Sequence, residues 1–161
     1  MNFIFTEVKM GKIKCTKEYN EVIGTNSIAS CIGVLLYDKL NKKAIVGHFN
    51  SNEYGGYEEE DAKRIFECLI YNMKINNFSN DVSYLIVPGI VGNKDRISIV
   101  ALELENNLSN FEKMNIDNSS IRMHDKTESL EFVFDPINNV FLTDKYYPND
   151  NDYIVDTKKL K

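Results

Sequence analysis

Apolar and polar residues alternate at the start of the chain, where Phe3, Phe5, Val8, Met10 and Ile13 fall among polar neighbours. The pattern predicts a strand over 2–15, with Gly11 marking a bend or bulge. Residues 19–23 predict a short extended segment leading into a turn at Gly24-Thr25-Asn26-Ser27. Two continuous apolar runs follow, 31–37 and 44–49, separated by the charged stretch 38–43, which is the pattern of a β-hairpin of buried strands. The period then changes. Ala62, Ile65, Phe66, Leu69, Ile70 and Met73 recur at helical spacing within 57–76, behind Glu58, Glu59, Glu60 and Asp61, whose charge suits a helix N-terminus. Residues 81–87 predict a buried strand ended by Pro88-Gly89. Residues 96–108 predict a second helix with Ile97, Val100, Ala101, Leu104 and Leu108 on one face. A strand over 119–124 and a terminal hairpin of 130–134 and 140–143, turning at Asp135-Pro136-Ile137-Asn138-Asn139, complete the pattern. The fold class expected is α/β: a layered α/β sandwich with a mostly antiparallel β-sheet packed against two helices. Residues 1–143 are expected to form a single domain, and 144–161 a polar tail.

Composition changes this picture little but excludes several functions. A chain of 161 residues with 43% hydrophobic and 27% charged residues suits one domain with a real core. A net charge of −5 argues against nucleic acid as a partner. No apolar run approaches membrane-spanning length and no basic-then-apolar leader opens the chain, so no membrane insertion is expected. Three widely spaced cysteines, Cys15, Cys31 and Cys68, suggest neither a disulfide framework nor a zinc site, and a reducing cytoplasm is the expected home. Consecutive carboxylates at 58–61 point in different directions from a helix, so they read as helix-start chemistry and not as a metal cluster. The glycine-containing stretch 89–95 fits neither a Walker nor a dinucleotide fingerprint, and no cofactor is expected.

The candidate chemistry lies in the hairpin. Cys31 opens its first strand and His48 nearly closes its second, and both are almost equidistant from Leu40, so antiparallel pairing is expected to bring thiol and imidazole side by side. A free cysteine titrates near pH 8.5 and holds little thiolate at neutral pH. An adjacent imidazole can take its proton if a third group orients the ring, and the Thr25 hydroxyl is a plausible orienter. The competing reading is that Cys31 is a small core hydrophobe. Cys15, beside Lys14 and Lys17 but with no base near it in sequence, reads as structural. Cys68 reads as packing, and His124, with no cysteine partner at a justifiable spacing, as a surface or supporting residue.

Cys31 lies six positions after Thr25, and His48 seventeen positions after Cys31. With Ser30-Cys31 leading into a strand that ends Tyr37-Asp38, and Gly47-His48-Phe49 closing the hairpin, the stretch resembles the CheD family, the chemoreceptor glutamine deamidases of bacterial chemotaxis. Val91-Gly92-Asn93-Lys94-Asp95 resembles a further segment of that family. The resemblance implies an α/β sandwich and a cysteine-dependent protein-glutamine glutaminase that hydrolyses a glutamine side-chain amide to glutamate and ammonia. It implies Cys31 as nucleophile, His48 as base, Thr25 as orienting group, and Ser30 and Ser27 as substrate-binding residues. For the Ser30 hydroxyl, a local turn-to-strand hydrogen bond is an equal reading. The implied partners are a glutamine-bearing protein such as chemoreceptor helices, and a CheC-type phosphatase. An activated Cys31 is expected to alkylate well below pH 8.5 and to lose that advantage in His48→Ala.

The chain also departs from the family. It has Ala29 where a glycine commonly precedes Ser-Cys, and Phe49-Asn50-Ser51-Asn52 where the family commonly continues past its histidine with x-Met-Leu-Pro. It lacks a glycine pair around Asp125-Lys126-Thr127. Two alternatives therefore stand beside a chemoreceptor deamidase: a catalytically silent CheD-like binding or adaptor module, and a toxin-type deamidase acting on a different protein.

Overall fold

The strands divide between two sheets, and the division begins inside the first predicted strand. The computed structural model describes residues 2–50, 59–116, 120–124, 128–142 and 154–156. In place of one strand over 2–15 there are two, β1 (Asn2–Glu7) and β2 (Ile13–Cys15), which belong to different sheets. Gly11, at φ 79°, supplies the left-handed backbone for the turn between them, a conformation that glycine adopts without steric cost. The chain then runs through β3 (Glu21–Ile28), β4 (Ile32–Asp38), β5 (Lys43–Phe49), α1 (Glu59–Ile75), β6 (Val82–Pro88) and α2 (Lys94–Asn107). Beyond α2 lie β7 (Glu112–Lys113), β8 (Arg122–His124), β9 (Ser129–Asp135), β10 (Val140–Phe141) and β11 (Ile154–Asp156). One sheet has the order β10-β9-β3-β1-β11, with β8 also paired to β9; the other has the order β2-β5-β4-β6-β7. Among the described residues only β1 with β3 and β6 with β7 pair in parallel. The layered, mostly antiparallel α/β architecture is therefore the one the pattern predicts.

The predicted hairpin is β4–β5, and all of β4 is buried. Its side chains alternate between two cores, which is why its sequence reads as a continuous apolar run. Val34 and Leu36 join Ile45, Ile65, Leu69, Val100 and Leu104 between the sheet and the helices. Leu35 and Tyr37 face the other way, joining Val46, Ile23, Ile28, Phe132 and Phe134 between the two sheets. Each such aliphatic or aromatic side chain contributes about 1.5–3 kcal/mol when fully buried. The Tyr37 hydroxyl donates to the Pro136 carbonyl at 2.7 Å, joining the β4 end to the turn between β9 and β10.

Residue 25 lies in a strand, not in the turn that Gly24-Thr25-Asn26-Ser27 predicts. β3 is held by β1 on one side and β9 on the other, and this pairing overrides local turn chemistry. Gly24 belongs to that pairing: a Cβ there would stand 2.2 Å from the Phe132 carbonyl oxygen. The turn tendency survives only as an irregularity between Thr25 and Ile28, where Ser27 takes φ 61°. The first helix begins at Glu59, so Tyr57 and Glu58 lie outside the described residues, as do most of the 144–161 tail and residues 125–127. Within that tail β11 pairs antiparallel with β1, Ile4 opposite Ile154, so part of it forms the outermost strand of the first sheet.

Candidate active site

Thr25, Cys31 and His48 come from three adjoining pieces of backbone around the space between the sheets. Thr25 is on β3, His48 on β5, and Cys31 in the bend 29–31 that joins β3 to β4. In the β4–β5 register His48 pairs with Gly33 and Phe49 with Ile32, so the turn centres just beyond Leu40. Cys31 thus precedes the cross-strand partner of His48 by two residues and does not face it directly. Strand periodicity still gives both the same face of the sheet: Cys31 belongs with Leu35 and Tyr37 in the inter-sheet core, as do Ala44 and Val46 from the side of β5 that carries His48. All three side chains are buried.

Thr25 reaches from one sheet to the other. Its Oγ1 lies 2.7 Å from His48 Nδ1 and 2.6 Å from the Val8 carbonyl oxygen. A carbonyl can only accept, so the single hydroxyl proton goes to Val8, and Oγ1 then accepts from Nδ1–H. This fixes the ring as the Nδ1–H tautomer and makes Nε2 a bare lone pair, the form a general base requires. Nε2 is buried with no hydrogen-bond partner among the described residues, so the Cys31 thiol does not donate to it here. The backbone of His48 is held as firmly, its N–H donating to Lys12 O at 2.9 Å and its carbonyl accepting from Gly11 N–H at 2.8 Å.

Burial sets the protonation states. It pushes the Cys31 thiol above its ordinary value and pulls the His48 imidazolium down to about 4, so at neutral pH both groups are uncharged. The resting site therefore differs from the activated thiolate expected of a close Cys–His pair, because desolvation disfavours both members of a thiolate–imidazolium pair. Cys31 is expected to react with iodoacetamide more slowly at pH 7.5 than a free cysteine, with the midpoint of its rate profile shifted to higher pH than a free cysteine's; a midpoint below pH 8.5 would contradict the burial seen here. Cys15 is pushed up to about 11, chiefly by burial, which outweighs the pull of Lys43 and Lys17; the lysines beside it do not activate it.

Of the remaining candidates, Ser30 is half-buried in the Cys31 bend, and Ser27 is exposed at the β3 irregularity. Beyond Asn50, the loop expected at the rim of the site lies outside the described residues. Among the described residues no group of three His, Cys, Asp or Glu side chains is placed to hold a metal ion, and no helix is long and apolar enough to cross a membrane. The Val8 carbonyl carries no side-chain signal in the sequence, yet it decides the tautomer of His48.

No family model matches the chain. An uncharacterized protein of Rickettsia conorii (strain Malish 7) is 27% identical over 122 residues, covering 73% of this chain; the chain spans 66% of that relative's length. The crystal structure of the hypothetical protein YfiH of Bacillus licheniformis aligns with a TM-score of 0.46 and 14% identity, over 75% of this chain and 60% of that one. The architecture of this protein therefore rests on its own strand order and register.

Proposed function

We propose that the protein is a cysteine-dependent amidohydrolase that converts a glutamine side chain of another protein to glutamate, using Cys31 as nucleophile, His48 as base and Thr25 as orienting group. The observation that carries this reading is the Thr25–His48 contact, which leaves the Nε2 lone pair open on the sheet face that also carries Cys31. A ring that served packing alone would need neither a fixed tautomer nor a buried unpaired acceptor. In the reaction Cys31 Sγ bonds to the amide carbon as its proton passes to Nε2, and the carbonyl π electrons move onto oxygen. Backbone N–H groups around Ser30 and Cys31 are the candidate donors to that oxyanion, one such donor contributing roughly 3 kcal/mol. Collapse of the adduct breaks the C–N bond, Nε2 returns the proton to the departing ammonia, and water hydrolyses the thioester to glutamate and free thiol. Because thiol and imidazole both rest neutral, proton transfer belongs to the attack step and no thiolate is stored beforehand.

The resemblance to the CheD family supplies the substrate class, chemoreceptor helices, and a CheC-type phosphatase as a regulatory partner. The altered residues after His48 leave a toxin-type choice of another protein substrate within the same reading. The test is incubation of chemoreceptor cytoplasmic domains and cognate lysate with the wild-type protein and with Cys31→Ala, followed by mass spectrometry of peptides. One-dalton glutamine shifts that require Cys31 are expected; their absence from every peptide would remove the deamidase reading. One observation favours a silent binding module: the Cys31 thiol makes no hydrogen bond to Nε2. That reading predicts binding of the same partner by wild type and Cys31→Ala with no mass shift in either case.

A further inference from the structure

The Cys31 bend is held from outside by a loop that the triad does not include. The β4–β6 register ends with Ile32 opposite Pro88, but the pairing continues past both strands. Gly89 N–H donates to Cys31 O at 2.8 Å, and Val91 N–H donates to Ala29 O at 2.9 Å. Both bonds end on carbonyls of the bend, so this clamp consumes neither the Ser30 nor the Cys31 N–H, the ones an oxyanion would need. The approach is so close that it requires glycine. A Cβ on residue 89 would lie 2.1 Å from Ala29 O, 2.6 Å from Ala29 C and 2.8 Å from Cys31 O, all backbone atoms that cannot swing aside. Gly92, at φ 90°, then turns the chain over Ser30, and Asn93 caps α2 by accepting from Arg96 N–H at 3.2 Å.

We propose that Gly89 is a positioning residue for the Cys31 nucleophile: the 89–92 loop fixes the bend so that the thiol stays on the inter-sheet face and the Ser30 and Cys31 amides keep their place beside it. This inference rests on the deamidase reading for its catalytic meaning, but the mechanical part is measurable without it. A misplacement of about 1 Å is enough to lower an enzymatic rate about a hundredfold.

The experiment compares wild type with Gly89→Ala. Iodoacetamide alkylation of Cys15, Cys31 and Cys68 is followed peptide by peptide, alongside the thermal midpoint and, where deamidation occurs, kcat and KM. A displaced bend unmasks Cys31 while the other two cysteines, on β2 and α1, serve as internal controls. The expected result is a rise in Cys31 alkylation of about tenfold with Cys15 and Cys68 unchanged, and a fall in kcat of about a hundredfold with little change in KM. Equal acceleration at all three cysteines would mean general loosening and would overturn the proposal, as would an unchanged Cys31. Should Gly89→Ala fail to fold, Val91→Pro removes the second clamp bond without adding a Cβ at residue 89. It is expected to unmask Cys31 selectively, and an absence of selective change in it would overturn the proposal. Selective unmasking in a protein that deamidates nothing keeps the clamp and removes the deamidase reading; deamidation indifferent to Gly89→Ala does the reverse.

Discussion

On the proposed deamidase reading, His48→Ala is expected to lower the rate of glutamine-to-glutamate conversion by about ten-thousandfold, because the reaction loses its proposed base while the acidity of the thiol is suppressed by burial. Thr25→Val separates orientation from basicity. Valine keeps the volume but leaves Nδ1–H buried without an acceptor, so the ring is driven to the Nε2–H tautomer or turns away, and the lone pair facing the Cys31 side is lost. Since the orienting group is a neutral hydroxyl and not a carboxylate, the expected loss is smaller, about ten- to a hundredfold. Thr25→Ser keeps the hydroxyl and is expected to recover most of the rate. A merely structural Thr25 would give wild type, Thr25→Ser and Thr25→Val the same order in stability as in rate. The acid limb of kcat/KM is a second readout. With His48 held down to about 4, the base stays unprotonated far below the ordinary imidazole range, so activity is expected to persist until pH falls towards 4. A limb near pH 6.5 would show that the imidazole works in a solvated site unlike this one.

The hairpin that carries Cys31 and His48 is legible because its apolar runs and charged turn are both local features. The same holds for the helices: apolar spacing placed the first within two residues of its described start, and Asn93 begins the second just ahead of the predicted span. What sequence could not give are features set by distant backbone. Gly24-Thr25-Asn26-Ser27 has turn composition, and only its pairing with β1 and β9 makes it a strand. The single strand expected over 2–15 alternates plausibly throughout, yet Gly11 divides it between two sheets. Cys31 and His48 are symmetric about a point just before Leu40, whereas the observed register is centred between Leu40 and Asn41, the middle of the charged stretch 38–43; that small offset moves the cross-strand partner of His48 from Cys31 to Gly33. The site shows the same division. Its three side chains are visible in sequence; the Val8 carbonyl and the Gly89 clamp are backbone contributions and leave little trace there.

Asp38 carries the second large effect, on stability. It is fully buried at the end of β4, where its carboxylate accepts from Leu40 N–H and Asn41 N–H at 3.1 Å and from Asn41 Nδ2 at 2.9 Å. From the segment after α1 it also accepts from Ser79 N–H at 2.8 Å and Ser79 Oγ–H at 2.6 Å. One side chain thus closes the hairpin turn and ties it to the loop leading into β6. Burial alone would raise its pKa, but the hydrogen bonds from Ser79 and Asn41 outweigh it and hold the group below its ordinary value. Asp38→Ala leaves these donors without an acceptor, and the expected cost is about 3 kcal/mol, or roughly 6–12 °C in Tm for a domain of this size. Leu40→Ala, in the same turn but 70% exposed, is expected to stay within about 0.5 kcal/mol. The pH dependence follows from the sign of the shift. A carboxyl more acidic in the folded state stabilises above its unfolded pKa, and that stabilisation is lost as pH falls through the folded value. His48, also depressed on folding, costs stability in the same direction but earlier, as pH falls from about 6.5 towards 4. Urea denaturation at pH 7 and pH 3 separates them: the gap between wild type and Asp38→Ala should be smaller at pH 3, where the unfolded carboxyl is largely protonated, while the His48 contribution is already lost in both proteins. A gap of equal size at both pH values would mean that a protonated Asp38 holds the turn as well as the carboxylate does, and that the five donors do not depend on its charge.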